Sequence, residues 1–83
     1  MRMYAREIEE RMRLFYESLS EKDRRRYAAI EAAKLGRGGV TYVARLFGCD
    51  AATIRRGARE VARLPLDESE GRVRKRNKDL ANG

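Results

Sequence analysis

Val40–Arg63 reads VTYVARLFGCDAATIRRGAREVAR, and this stretch decides the fold. Val40, Val43, Ala44 and Phe47 fall at i, i+3, i+4 and i+7, one face of an α-helix. Ala44 is small where a second helix must cross closely. Gly48 follows at the point where a left-handed residue closes a helix. Asp50 stands where an N-cap belongs, ahead of Ala51-Ala52-Thr53-Ile54. Ile54, Ala58, Val61 and Ala62 give the second helix a stripe to bury, and Arg55, Arg56, Arg59 and Arg63 take its remaining surface. A short helix, a glycine turn and an arginine-faced helix predict a helix-turn-helix, whose second helix enters the DNA major groove.

Working outward, the 83 residues allow one domain with a small core. Charged residues make up 40% and hydrophobic residues 42%, enough for most of the chain to fold. Twenty Lys and Arg against thirteen Asp and Glu leave +7, which suits a polyanionic partner: nucleic acid or an acidic membrane surface. No run of about 18 apolar residues offers a membrane span. The start, MRMYAREIEERM, is too charged for a signal peptide. One cysteine forms no internal disulfide, so a cytoplasmic location is expected. His is absent, which argues against a structural zinc site and His-based catalysis. No catalytic residue, metal, cofactor or small-molecule substrate is expected, and the chain reads as a non-enzyme.

The fold class read from the sequence is all-α: a small four-helix domain with a helix-turn-helix and a basic, disordered C-terminal tail. The first helix runs roughly from Met3 to Ser18, with Tyr4, Ile8, Met12, Phe15 and Leu19 on one stripe. That stripe is read as core, with a dimer seam, and so a possible homodimer, as the alternative. A second helix opens at Ser20, with Asp23 in the capping-box position, and Gly36 ends it. Tyr27, Ala28, Ile30, Ala32 and Leu35 are its expected inner face. Arg37-Gly38-Gly39 is a tight connector to the two helices near Val40–Phe47 and Ala51–Leu64. Pro65 is expected to stop the last one. Residues 1–64 are therefore read as the helical domain and residues 65–83 as a flexible tail or linker. Charge follows this division. Residues 1–33 hold 8 basic and 7 acidic side chains, whereas residues 34–63 hold 7 basic and 2 acidic ones. The tail gathers its five bases within Arg72–Lys78.

Four elements in Leu19–Val61 then carry a resemblance: Leu19-Ser20-Glu21-Lys22-Asp23-Arg24-Arg25, Ala28-Ala29-Ile30-Glu31-Ala32, Leu35-Gly36-Arg37-Gly38-Gly39, and Thr53-Ile54-Arg55-Arg56-Gly57-Ala58-Arg59-Glu60. In order and spacing this block resembles the N-terminal DNA-binding region of a family of bacterial insertion-sequence transposases. The resemblance covers about half the chain. It implies binding to the ends of a mobile element, association with the bacterial nucleoid, and cleavage by a separate RNase H-like domain. That domain's acidic metal-binding triad has no counterpart in these residues. The family's linker is rich in Arg, Pro and Gly; Arg72-Val73-Arg74-Lys75-Arg76 keeps the basic part and lacks the Pro-Gly-Gly stretch.

The candidate DNA contacts follow from the residues. Arg55, Arg56 and Arg59 can bridge guanine O6 and N7 with paired hydrogen bonds. Ala51, Ala52 and Thr53 are small enough to let the backbone approach the groove, and their methyls suit thymine. Thr41 and Tyr42 begin a helix where amides and hydroxyls hold a phosphate; otherwise Tyr42 packs on the first helix and Thr41 is a cap. Arg72, Arg74, Lys75 and Arg76 suit a minor-groove or backbone-tracking arm, or a plain solvated tail. Several residues are assigned structural work instead. Arg24-Arg25-Arg26 are expected to pair with Glu21, Glu31 or Glu17, Cys49 to plug the turn, Gly38-Gly39 to permit a bend, and Gly57 to allow close packing against Ala44 or the first helix.

The function expected is sequence-specific binding of double-stranded DNA as a transposase-like end-binding domain. A small dimeric regulator and a helical protein-interaction module are the competing readings.

Overall fold

The computed structural model describes residues 3–71. Four helices form: α1 (Arg6–Ser18), α2 (Glu21–Leu35), α3 (Gly39–Phe47) and α4 (Ala51–Gly71), with no strand among the described residues. The fold is all-α, as the sequence predicts. The helix ends follow local chemistry. The Asp23 amide donates to the Ser20 hydroxyl at 3.2 Å, so Ser20 is the N-cap of α2. Gly36 closes α2 with its N–H on the carbonyls of Ala32 and Ala33. Gly48 takes φ 70° and ψ 36°, and the next amide, Cys49, reaches back to the Ala44 carbonyl at 3.0 Å. This Schellman-type closure turns the chain within three residues. The Asp50 carbonyl then accepts the Ile54 amide and α4 begins.

The helix α2 lies at the centre, in contact with α1, α3 and α4, and its broadest contact is with α4. Ala28, Ala29 and Ala32 are buried on it, and Val43, Phe47 and Ile54 close over them from α3 and α4. Alanine fits a helix pressed from three sides, because each methyl lets a neighbouring backbone come near. This placement corrects the expected inner face: Ile30 is 47% exposed, while Ala29 and Glu31 are buried. Glu31 is partnered by the Lys34 ammonium at 3.3 Å.

The stripe expected on α1 is also corrected. Of its residues within α1, only Met12 is buried; Ile8 is 42% and Phe15 52% exposed. The helix is docked instead by Glu9, Met12, Arg13 and Tyr16, again at i, i+3, i+4 and i+7. The Tyr42 hydroxyl donates to the Glu9 carboxylate, and Arg13 Nε donates to the Leu46 carbonyl at 3.4 Å. Tyr16 stacks on Phe47, centroids 4.3 Å apart, and Tyr27 flanks the same ring at 5.6 Å. Phe15 meets Tyr27 edge-on at 5.1 Å from the rim of this cluster. Cys49 is half-buried against the core, as expected for a plug in the turn. Burial is the first cause that raises its thiol pKa, away from the thiolate form that makes a cysteine reactive.

Two expectations for α4 change as well. Ala58 and Ala62 are exposed, and Ile54 and Gly57 are the residues it buries among those whose burial is described. The helix also does not stop at Pro65 but runs on to Gly71, across the boundary drawn from the sequence. Proline lacks an N–H and its ring crowds the carbonyl four residues earlier, which can kink a helix without ending it.

Candidate nucleic-acid interface

The side of α4 away from the core carries Ala52, Arg55, Arg56, Arg59 and Arg63, all exposed. Their spacing places them on one continuous helical face. The opposite side holds Ile54, 1% exposed, and Gly57, with Val61 and Leu64 half-buried farther along. The burial pattern therefore turns the arginines outward. The Cys49 turn and the Val43–Phe47 core fix the start of the helix, and a second anchor fixes its middle.

That anchor is an ion cluster around Glu60. Arg25 forms a two-pronged bond, Nε to Oε1 and Nη2 to Oε2, each at 2.8 Å. Arg26 Nε adds a third bond at 3.1 Å, and Arg56 Nε stands 3.4 Å from Oε2 on the same helix. The Arg25 fork holds the Glu60 carboxyl down to about 2, with Arg26 helping and partial burial opposing. Gly57 lies one turn earlier on the same face. A Cβ there would overlap the Arg25 carbonyl. Its close packing is thus against α2, not against Ala44 or α1 as the sequence suggested.

The arginine run of α2 accordingly does two jobs. Arg25 and Arg26 tie α2 to α4 through Glu60, a partner 34 or more residues away that the local-pairing expectation missed. Arg24 instead covers the end of α1, donating from Nε to the Tyr16 carbonyl at 3.2 Å and from Nη2 to the Glu17 carbonyl at 2.8 Å. None of the three is paired to the carboxylates expected. The signal that could have revealed the anchor is a glycine inside a helix, followed three residues later by the only acid among four arginines.

The remaining candidates divide. Ala51 and Thr53 are half-buried at the start of α4 and Thr41 is exposed in the first turn of α3. Tyr42 turns toward α1, bonded to Glu9 and accepting the Tyr4 amide at 3.3 Å, which matches the packing alternative. Arg72, Arg74, Lys75 and Arg76 lie outside the described residues. Arg63 joins the exposed face beyond Arg55, Arg56 and Arg59, the readers the sequence predicts. No group of three or more Cys, Asp or Glu that could hold a metal occurs among the described residues, and no described helix is long and apolar enough to cross a membrane.

The depressed Glu60 pKa makes a prediction with a definite sign. A carboxylate whose folded pKa is lowered stabilises the fold above its unfolded pKa, and this contribution is lost as pH falls through the folded value. The loss should therefore run from about 4.5 down to about 2. Acid titrations of Glu60→Gln should be flatter than wild type across this window. Parallel acid limbs for the two proteins would show that the cluster does not form in solution.

Comparison with protein-family models, with curated proteins and with solved structures finds no match to this chain.

Proposed function

We propose that this chain binds double-stranded DNA sequence-specifically, with α4 in the major groove, as the end-binding domain of a transposase-like protein. The observation that carries the reading is the exposed face of α4, where Arg55, Arg56, Arg59 and Arg63 stand clear of the core. Arginine neutralises phosphates and reads guanine, so one such face supplies both affinity and register. The transposase-like part is supported by the parts that carry the resemblance. Arg25 of the first element grips Glu60 of the last, and Gly57 rests on the Arg25 carbonyl. In this reading the protein acts at the nucleoid and needs no metal or cofactor to bind.

Fluorescence anisotropy against a duplex selected from a randomised pool, and against a scrambled one, tests this. The selected duplex should bind more tightly. If about six phosphates are neutralised, log Kd should change with log salt with a slope of magnitude near 5. Equal affinity for both duplexes would remove the sequence-specific part. A second reading, a small dimeric regulator, is favoured by the large apolar side chains exposed on α1: Ile8, Leu14 and Phe15. Sedimentation decides it, because a regulator of this kind sediments as a tight dimer and protects a palindrome.

A further inference from the structure

Beside the outer face of α4 lies a cleft of about 440 Å³, between the start of α2 and the start of α4. Arg24, Arg25 and Arg56 line it, with Thr53 and Cys49 on the α4 side and Glu21 on the α2 side. Three guanidinium groups from two helices thus converge on one small space. Like charges gathered this way repel one another, and such a cluster needs compensation. Glu60 supplies it for Arg25 and Arg56, but its carboxylate is bonded to Arg25 and Arg26. Arg24 has no carboxylate partner among the described residues. It spends Nε and one Nη2 hydrogen on the carbonyls of Tyr16 and Glu17. Those bonds fix the plane of its guanidinium and leave the rest of its donors over. Arg56 is 62% exposed on its side chain and touches Glu60 only through Nε at 3.4 Å, so its outer fork is available.

We propose that this cleft is an oxyanion site that takes one phosphate, held by the Arg24 and Arg56 guanidinium groups and the Thr53 hydroxyl. Arg25 adds charge while its fork stays on Glu60. The chemistry is that of a tetrahedral anion met by planar donors, where arginine forms paired, charge-assisted bonds. Arg56 belongs both to this cleft and to the outer face of α4. A duplex lying on that face would carry one backbone strand past Arg56 to the cleft. Identifying the phosphate as part of a DNA backbone rests on the proposed function; the site itself does not. The scaffold helix α2 then becomes part of the interface, setting how α4 sits in the groove without reading bases.

The test uses the full chain with Arg24→Gln and Glu21→Gln. Salt titrations with a selected and a scrambled duplex should show that Arg24→Gln weakens both duplexes by the same factor. The log–log salt slope should shrink by about 0.9, the value for one phosphate contact. Glu21→Gln removes a carboxylate from the lining and should tighten both duplexes by the same factor. Titration of the free protein with inorganic phosphate, followed by NMR of the arginine Nε–H groups, separates the sources. Shifts at Arg24 and Arg56 without any duplex binding would keep the site as one for free phosphate and remove the DNA reading. Unchanged affinity and slope in both variants, while Arg55→Ala still weakens binding, would overturn the cleft and leave the DNA reading standing. If Arg24→Gln loses its fold because α1 is uncovered, Glu21→Gln and the phosphate titration still decide.

Discussion

Gly57→Ala is expected to destabilise the domain by about 2 kcal/mol, although helix propensity alone predicts a gain of about 1 kcal/mol. The sign turns on one contact. The new methyl would meet the backbone carbonyl of Arg25, with the Arg26 amide close behind. A flexible side-chain tip could move aside; a carbonyl inside α2 can move only with its helix. Overpacking of this kind costs about 1–3 kcal/mol, and a backbone obstacle belongs at the upper end. Setting the propensity gain against it leaves the net loss stated. A domain of this size has about 4–12 kcal/mol in all, so the loss is a large share. The melting temperature should fall by about 10 °C, read by circular dichroism. Ala58, the next residue, is exposed and gives the contrast. There the reverse change, Ala58→Gly, should cost only the propensity difference of about 1 kcal/mol. A Gly57→Ala protein that melts at or above wild type would mean that α4 does not cross α2 this closely.

The same crossing explains what could be read from the chain alone and what could not. Three helix ends were legible because their chemistry is local, although Pro65 did not mark the end of α4. Ser20 caps α2, and Gly36 and Gly48 close their helices within a few residues of themselves. The outward turn of Arg55 and Arg59 was legible too, since Ile54 between the turn and the arginines fixes the phase of α4. The inner faces of α1 and α2 were not. In α1 the docking face includes Glu9 and Arg13, whose ends bond to Tyr42 and to the Leu46 carbonyl of α3. A search for an apolar stripe passes over such a face and selects Ile8 and Phe15 instead. In α2 there is no single inner face to find, because α1, α3 and α4 all rest on it. Small residues on several sides suffice there, and periodicity carries little signal. The Glu60 cluster was hidden for a third reason. Charge pairing is visible in sequence only at helical spacings, whereas the partner of Arg25 stands on another helix.

That cluster also separates two kinds of arginine, which matters for the interface. Arg25 and Arg26 are half-buried and are spent on holding α4. Removing either would change the fold and the binding together, and binding data alone could not assign a role. Arg55 and Arg59 differ because they are exposed and make no ion pair among the described residues. A substitution there should leave stability within about 0.5 kcal/mol, as for ordinary surface sites. Binding changes at these two positions therefore report on the DNA directly.

The double variant Arg55→Ala, Arg59→Ala should accordingly lose about 2–6 kcal/mol of binding to the selected duplex, from about 1–3 kcal/mol for each good base contact. Each 1.4 kcal/mol is about tenfold in Kd, so the loss spans roughly 30-fold to more than 10⁴-fold. The scrambled duplex should lose less, because there the same arginines contribute only charge. Arg56→Ala should have a smaller effect on discrimination, since Glu60 shares its Nε at 3.4 Å. Arg55 and Arg59 are one helical turn apart and can share a base step, so their effects need not add. A double-mutant cycle measures that coupling, and circular dichroism confirms that both variants stay folded. Should the double variant bind the selected duplex as tightly as wild type, the arginine face of α4 is not the reading surface. The +5 of residues 34–63 would then serve an acidic protein or RNA partner, and the interaction-module reading would take its place.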